Sequence, residues 1–281
     1  TDTKVNILGQ TVESDGYVTS YPTVAALIVQ ESGGALAGVS DGVVVFADGL
    51  PFVRASGSAE ITGLPNWLPS SDVFVNHFNP TADGVTSDHT VFQEASDYCV
   101  SQGIGKLSAR SGDYGFSSGF SINGPIAFVG ESSSLCILRA TAALSEIVLI
   151  NHKYARAKDY LTIGGDLAVA GTAIAALGTV DANIKIENIR STTCDYSVRN
   201  LGSDGIDIIG LYSLSANIAS VISDNNFLNS SIRDCYLFAF AADQDAIVLN
   251  KTTQQPEGVV ITGNVTLTPG GRPLVINSGL S

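Results

Sequence analysis

NPTADGVTSDHTVFQEASDYCVSQGIGKLSARSGDYGFSSGFSINGPIAFVG, residues 79–130, is the stretch whose reading decides the fold. It holds the only strongly periodic helix pattern in the chain. Val91, Phe92, Ala95, Tyr98 and Cys99 recur at the spacing that lines one face of a helix. Ser87 or Asp88 offers a side-chain oxygen to the free N–H groups of the first turn, and Gly103 suits the left-handed ending, so a helix is expected over residues 88–102. Short apolar runs follow at 105–107, 120–122, 126–129 and 135–138, separated by Gly, Asn, Ser and Asp. A helix with one apolar face needs a flat surface to cover, and here it lies as a lid over the first strands.

Beyond this stretch, apolar runs rich in Ile and Val recur at 147–150, 161–163, 184–186, 206–209, 218–222, 247–249, 259–261 and 274–276. Their uneven spacing fits coils of roughly 20 to 25 residues with loops of variable length, on the order of seven or eight coils in all. Asn183, Asn188, Asn225, Asn226, Asn250, Asn264 and Asn277 stand beside these runs, where stacked amides form hydrogen-bonded ladders between coils. AVAGTAIAAL, residues 168–177, has small side chains and no aromatics, and is expected to pack as a tight piece of coil. A β-sandwich accounts for the short strands but less directly for the lid helix.

Phe78, then Ala82-Asp83-Gly84-Val85-Thr86, Asp88, Thr90, Gln93 and Ala95, then Leu107, Gly112 and Tyr114, and finally Val129-Gly130-Glu131 follow one another in a distinctive order. This order resembles the opening of pectate-lyase-like right-handed parallel β-helices common in bacteriophage tailspikes. Ala82 stands where that opening usually has Gly, Ser87 where it has Asp, and the proline before the glycine-tyrosine is missing. The resemblance implies a mainly β chain: a right-handed parallel β-helix over residues 76–281 with an N-terminal capping helix. It also implies a homotrimeric tailspike or tail fibre protein, folded in the host cytoplasm and carried on the virion, that recognises host surface polysaccharide. A polysaccharide depolymerase, hydrolase or lyase, on the same scaffold is the alternative.

Residues 1–75 read differently. A short helix over 22–31 entered at Ser20 or Pro22, strands at 43–46 and 51–54 about an Asp48-Gly49 turn, and a strand over 59–67 with the single tryptophan make a small α+β module. It resembles the head modules that join tailspikes to a phage tail or baseplate protein.

The composition is 44% hydrophobic and 15% charged, with 29 glycines and a net charge of −13, which argues against nucleic acid as a partner. Cys99, Cys136, Cys194 and Cys235 have no C-x-x-C spacing and read as buried free thiols of a chain folded in a reducing compartment. The chain shows no signal segment and no run long enough for membrane insertion. No capping helix follows 274–276, so cover from a trimer partner or from further sequence is expected.

Enzymes that cleave glycosidic bonds need two converging carboxylates or a base beside a uronic carboxylate. The candidates are Asp204, Asp207, Asp243 and Asp245, with Asp224 and Glu187 nearby in sequence. Asp243 and Asp245 are two apart and share a strand face; Asp204 and Asp207 do not, and Asp204 sits in a Gly-Ser-Asp-Gly turn. His77, His89 and His152 are isolated, and no calcium loop, zinc pair or phosphate loop is present, so no metal site and no cofactor is expected. Tyr236, Phe238 and Phe240 alternate along one strand face, with Arg233 and Gln244 close in sequence as further glycan-binding candidates. Facing outwards these rings are a sugar-stacking surface; facing inwards, the commoner place for three in-register aromatics, they are a core stack.

Overall fold

Strands mostly three to five residues long, many of them burying every second side chain, are laid coil upon coil in this protein. The computed structural model describes residues 5–7, 10–12, 19–57, 61–70, 72–164, 171–177, 182–214, 216–224, 227–238, 244–250 and 257–277. The chain divides after Asn79 into two compact units.

In the second unit three parallel sheets run the length of the stack. The first sheet contains Lys106–Ala109, Ala127–Gly130, Arg156–Lys158, Ile184–Glu187, Ile206–Ile209, Ser231–Arg233 and Val260–Thr262. The second contains Asp83–Ser87, Gly112–Phe116, Cys136–Ala140, Leu161–Ile163, Arg190–Thr192, Tyr212–Leu214, Tyr236–Phe238 and Val265–Leu267. The third contains Phe120–Ile122, Glu146–Ile150, Thr172–Ala176, Tyr196–Asn200, Ala219–Ser223, Asp245–Asn250 and Leu274–Asn277. The chain visits the sheets in rotation, one strand each per coil, which is a parallel β-helix. Partners along the first sheet, Lys106, Ala127, Arg156, Lys185, Asp207, Ser231 and Val260, lie 21, 29, 29, 22, 24 and 29 residues apart. Three of these intervals fall within the expected 20 to 25 residues, and the three of 29 put their surplus into loops.

Two columns of left-handed residues make the corners on either side of the first sheet. Tyr154, Asn183, Gly205, Asn229 and Gly258 precede its strands, and Asp159, Asn188, Gly210, Asp234 and Gly263 follow them, all with φ between 47° and 68°. Only Gly, and Asn or Asp at small cost, take this conformation readily, which explains why these residue types fill the gaps between isoleucine runs. The amide ladder forms in part: Asn188 Nδ2 donates to Asp159 Oδ1, and Asn277 Nδ2 to Asn250 Oδ1 at 2.7 Å. Asn225 and Asn226 lie outside the described residues. Of 168–177, the described part contributes the fully buried strand Thr172–Ala176.

Helix α1 of this unit, His89–Ser101, is the lid. Phe92 enters the open end of the first coil, its ring 5.0 Å from those of Tyr114 and Phe116, 5.2 Å from Phe120 and 5.9 Å from Phe128. Those four rings come from all three sheets. Among the described residues Phe120–Ile122 has no earlier strand to pair with, and the helix supplies partners instead: Gln93 Oε1 accepts from the Ser121 N–H at 2.8 Å and Ser96 Oγ donates to the Ser121 carbonyl at 3.1 Å. Gly103, at φ 65°, ends the helix as expected, with Ile104 N–H reaching the Cys99 carbonyl. The expected side-chain cap does not form. Asp88 turns its carboxylate back to accept from the Thr81 and Ala82 N–H groups at 2.6 and 3.1 Å, and Ser87 Oγ pairs with His89 and accepts from Ser117 N–H. At the Val-Gly-Glu of the opening, a Cβ on Gly130 would collide with the Asp159 carbonyl oxygen of the next coil.

In the first unit, Thr19–Tyr21, Val44–Ala47, Leu50–Arg54 and Trp67–Pro69 form a sheet, and Asp48 and Gly49 make the left-handed two-residue turn between the middle strands. The helix Val24–Ser32 is capped by Thr23, one residue beyond the expected start, whose Oγ1 accepts from Ala26 N–H at 3.1 Å. Residues 59 and 60 lie outside the described residues, 61–66 form bends and turns, and the described part of the strand expected over 59–67 begins at Trp67. Proline and glycine at Gly63 and Pro65 break the run. His77 is a core side chain, its ring 4.9 Å from Phe52. Glu31, half-buried in this unit, accepts from Arg54 at 2.9 Å, from Trp67 Nε1 at 3.0 Å and from Asn66. Burial raises its pKa, but the hydrogen bonds from Asn66 and Trp67 and the Arg54 charge prevail and hold it low.

Phe92→Ala is expected to cost about 3–5 kcal/mol, because the ring fills a site that cannot collapse; thermal melting by circular dichroism measures it. Glu31→Ala leaves Arg54 as an uncompensated buried charge and is expected to cost about 3 kcal/mol or more. Because the folded pKa of Glu31 is lowered, that stabilisation is complete above the ordinary carboxylate range and is lost as pH falls through the lowered value. The single tryptophan, Trp67, lies in this network, so urea unfolding followed by its fluorescence at neutral and acid pH reads both effects.

Candidate functional site

The outer face of the second sheet carries two columns of side chains fixed by register. Leu161, Arg190, Tyr212, Tyr236 and Val265 form one, and Ile163, Thr192, Leu214, Phe238 and Leu267 the other. Leu237 between them points into the core, so Tyr236 and Phe238 face outwards, contrary to the commoner inward arrangement. Tyr236 is 49% exposed. Tyr212 joins them, its ring 5.9 Å from Tyr236 and 5.8 Å from Phe238. The Arg190 guanidinium lies 5.3 Å from the Tyr212 ring centre and is steadied by donating to Ser134 Oγ at 2.9 Å. Tyr212 lies within a three-residue strand whose only inward side chain is Ser213, so no periodicity reveals it. Its separation from Tyr236, one coil length, is the signal that does.

The remaining glycan-binding candidates are dispersed. Arg233 lies on the first sheet, across the left-handed corner at Asp234, where its Nε donates to Ser231 Oγ at 3.0 Å. Gln244 is buried and donates to the Asn217 carbonyl, because the strand Asp245–Asn250 draws it under the third sheet. Phe240 and Asp243 lie outside the described residues.

The described carboxylates occupy separate settings. Asp204 is buried at the turn before Ile206–Ile209, its carbonyl accepting from Ala182 N–H. Asp207 faces outwards on the first sheet and accepts from Ser231 Oγ at 2.6 Å, at the edge of a shallow open depression with Arg233. Asp245 belongs to the third sheet, where Arg272 grips it through Nε at 3.1 Å and an Nη at 2.9 Å and lowers its pKa. Arg199 and Asp224 at 2.5 Å, and Arg139 and Asp113 at 2.6 Å, tie other coils in the same way. Glu187 points out of the first sheet beside Lys158. Among the described residues no cluster of three or more His, Cys, Asp or Glu is arranged to hold a metal ion. No helix among them is long and apolar enough to cross a membrane.

All four cysteines are buried free thiols. Burial pushes Cys99 and Cys136 up to about 12 and Cys235 up to about 11, and raises Cys194.

The parallel β-helix is shared with known proteins although the sequence is not. No family model and no curated protein matches the chain. The A-module of the Azotobacter vinelandii mannuronan C-5 epimerase AlgE4 is similar over 72% of this chain and 59% of its own, at 15% identity and a TM-score of 0.54. The tailspike protein of Acinetobacter phage vB_ApiP_P1 is similar over 92% of this chain and 56% of its own, at 12% identity and a TM-score of 0.54. The enzymatically active domain of bacteriophage CBA120 tailspike protein 2 is similar over 94% and 53%, at 12% identity and a TM-score of 0.50. The chain thus spans between half and three-fifths of the length of these structures, and has the fold of phage tailspike β-helices.

With pKa values this high the thiols are protonated at pH 8, so iodoacetamide is expected to label none of them in the folded protein and all four after unfolding in urea; mass spectrometry counts the adducts.

Proposed function

We propose that this chain is part of a bacteriophage tailspike or tail fibre whose β-helix recognises a polysaccharide of the host surface. The observation that carries this reading is the outward aromatic group of Tyr212, Tyr236 and Phe238 with Arg190 beside it. Aromatic rings flanked by hydrogen-bonding side chains offer an apolar floor for sugar rings and a polar rim for their hydroxyls. Residues 1–75 serve in this reading as the module that joins the spike to a tail or baseplate protein, and the protein acts on the virion. The dispersal of Asp204, Asp207 and Asp245 over a buried turn and two different sheets supports binding over depolymerisation.

A second use of the same face is favoured by its neighbours. Leu161, Ile163 and Leu214, with Val265 and Leu267 each nearly half exposed, extend the aromatic group into an apolar strip along the coils. Such a strip suits contact between copies of the chain in a homotrimer, which leaves glycan binding to another face.

The test is to mix the purified chain with capsular polysaccharide or lipopolysaccharide from candidate hosts, recording binding, product size by chromatography and oligomeric state by light scattering. Tyr236→Ala with Tyr212→Ala is expected to weaken binding about tenfold with the polymer left at full length. Shortened products would replace the adhesin with the depolymerase. Loss of the trimer in the same variant, with binding intact in the monomer, would assign the face to assembly.

A further inference from the structure

The first sheet of this acidic protein carries an unexpected concentration of positive charge. Five of the 14 Lys and Arg residues, Lys106, Lys153, Arg156, Lys158 and Lys185, lie on its outer face or at its leading corner over the early coils. Register puts Lys106, Ala127, Arg156 and Lys185 in one column, so cations recur at the strand spacing of about 4.8 Å, with one short side chain between the first and second. Among the described residues Lys158 has an ion pair, with Asp159 at 3.7 Å, whereas Lys106, Lys153, Arg156 and Lys185 form none. Glu187 beside Lys158 and Asp207 beside Lys185 bound the group on the side of the later coils, and Asp207 is already engaged by Ser231.

An aromatic residue stands at the leading corner of this group, two residues before Arg156. Tyr154 belongs to the left-handed corner column, at φ 65°, where the successive coils have Asn183, Gly205, Asn229 and Gly258. A bulky aromatic in this region of backbone space is a genuine exception, and such exceptions collect where a side chain is used. Tyr154 is 53% exposed, so packing gives no reason for it, and Lys153 Nζ stands 5.6 Å from the ring centre. Its backbone N–H donates to the Ala182 carbonyl at 2.6 Å, which fixes the corner whatever the side chain.

We propose that this surface is a binding site for an acidic polysaccharide, with a sugar ring stacked on Tyr154 and its carboxylates held by Lys153, Arg156 and Lys185. A uronic acid polymer presents a carboxylate on each ring, at a repeat comparable with the strand spacing along the column. The like-signed column attracts it over a distance, and the ring selects a sugar face over a bare polyanion. The site lies on a different sheet from the Tyr212 group and does not depend on that group's role.

The test uses the full chain with sodium polygalacturonate, its carboxyl-reduced form and a single-stranded oligodeoxynucleotide, by biolayer interferometry at low and high salt. Wild type is expected to bind polygalacturonate at low salt and to lose most of that binding at high salt. Carboxyl reduction and Arg156→Ala with Lys185→Ala are each expected to weaken it about tenfold. Tyr154→Asn is expected to weaken it severalfold while melting at the same or a higher temperature, because asparagine suits the corner; a ring kept for stability would give the opposite melting result. Absence of wild-type binding overturns the proposal. So does undiminished binding by the Arg156/Lys185 variant, equal binding of the reduced polymer, or equal binding of the oligonucleotide. Each of these leaves the Tyr212 variants to report separately on the second sheet.

Discussion

Everything in the second unit depends on closing the first coil. A stack of parallel strands starts with two exposed surfaces, an open apolar interior and a row of peptide groups with no earlier strand to meet. One helix answers both. Phe92 fills the interior against rings drawn from all three sheets, while Gln93 and Ser96, one and four residues further on, take up the peptide groups of Ser121. The apolar and polar needs fall on adjacent parts of the helix because the coil beneath presents its interior next to its edge. Each later coil then adds one strand per sheet on a template already in place.

That dependence explains what was legible in the sequence. The lid was readable because a helix face leaves a period of 3.6 residues, and strands such as Phe120–Ile122, Leu161–Ile163 and Ile206–Ile209 were readable because apolar residues run through them. Arg156–Lys158, Arg190–Thr192 and Ser231–Arg233 carry no such run, since each turns a single small or polar-flanked residue inwards and leaves a charged one outside. The candidate surface suffered more. Alternation puts Tyr236 and Phe238 together but cannot say on which side, and Tyr212, Arg190 and the cations of the first sheet are gathered only by register between coils.

Charge is apportioned accordingly. In the second and third sheets arginines are spent locking one coil to another through Asp113, Asp224 and Asp245. On the first sheet the lysines and Arg156 stand largely without such partners among the described residues. Net charge alone gives no hint of this division, because the acidic total averages over faces that differ in sign.

The interior between the second and third sheets has a character of its own. Ser191, Cys194, Ser197, Ser213 and Ser220 link side chain to side chain in an unbroken buried chain, with Ser197 Oγ and Ser213 Oγ 2.7 Å apart and Ser213 donating to Ser220 at 2.9 Å. On unfolding, the hydration of such groups lowers the heat capacity where apolar surface would raise it. The stability curve of these middle coils is accordingly flatter with temperature than their size alone would give, and their resistance to cold rests less on the hydrophobic effect than that of the aromatic first coil.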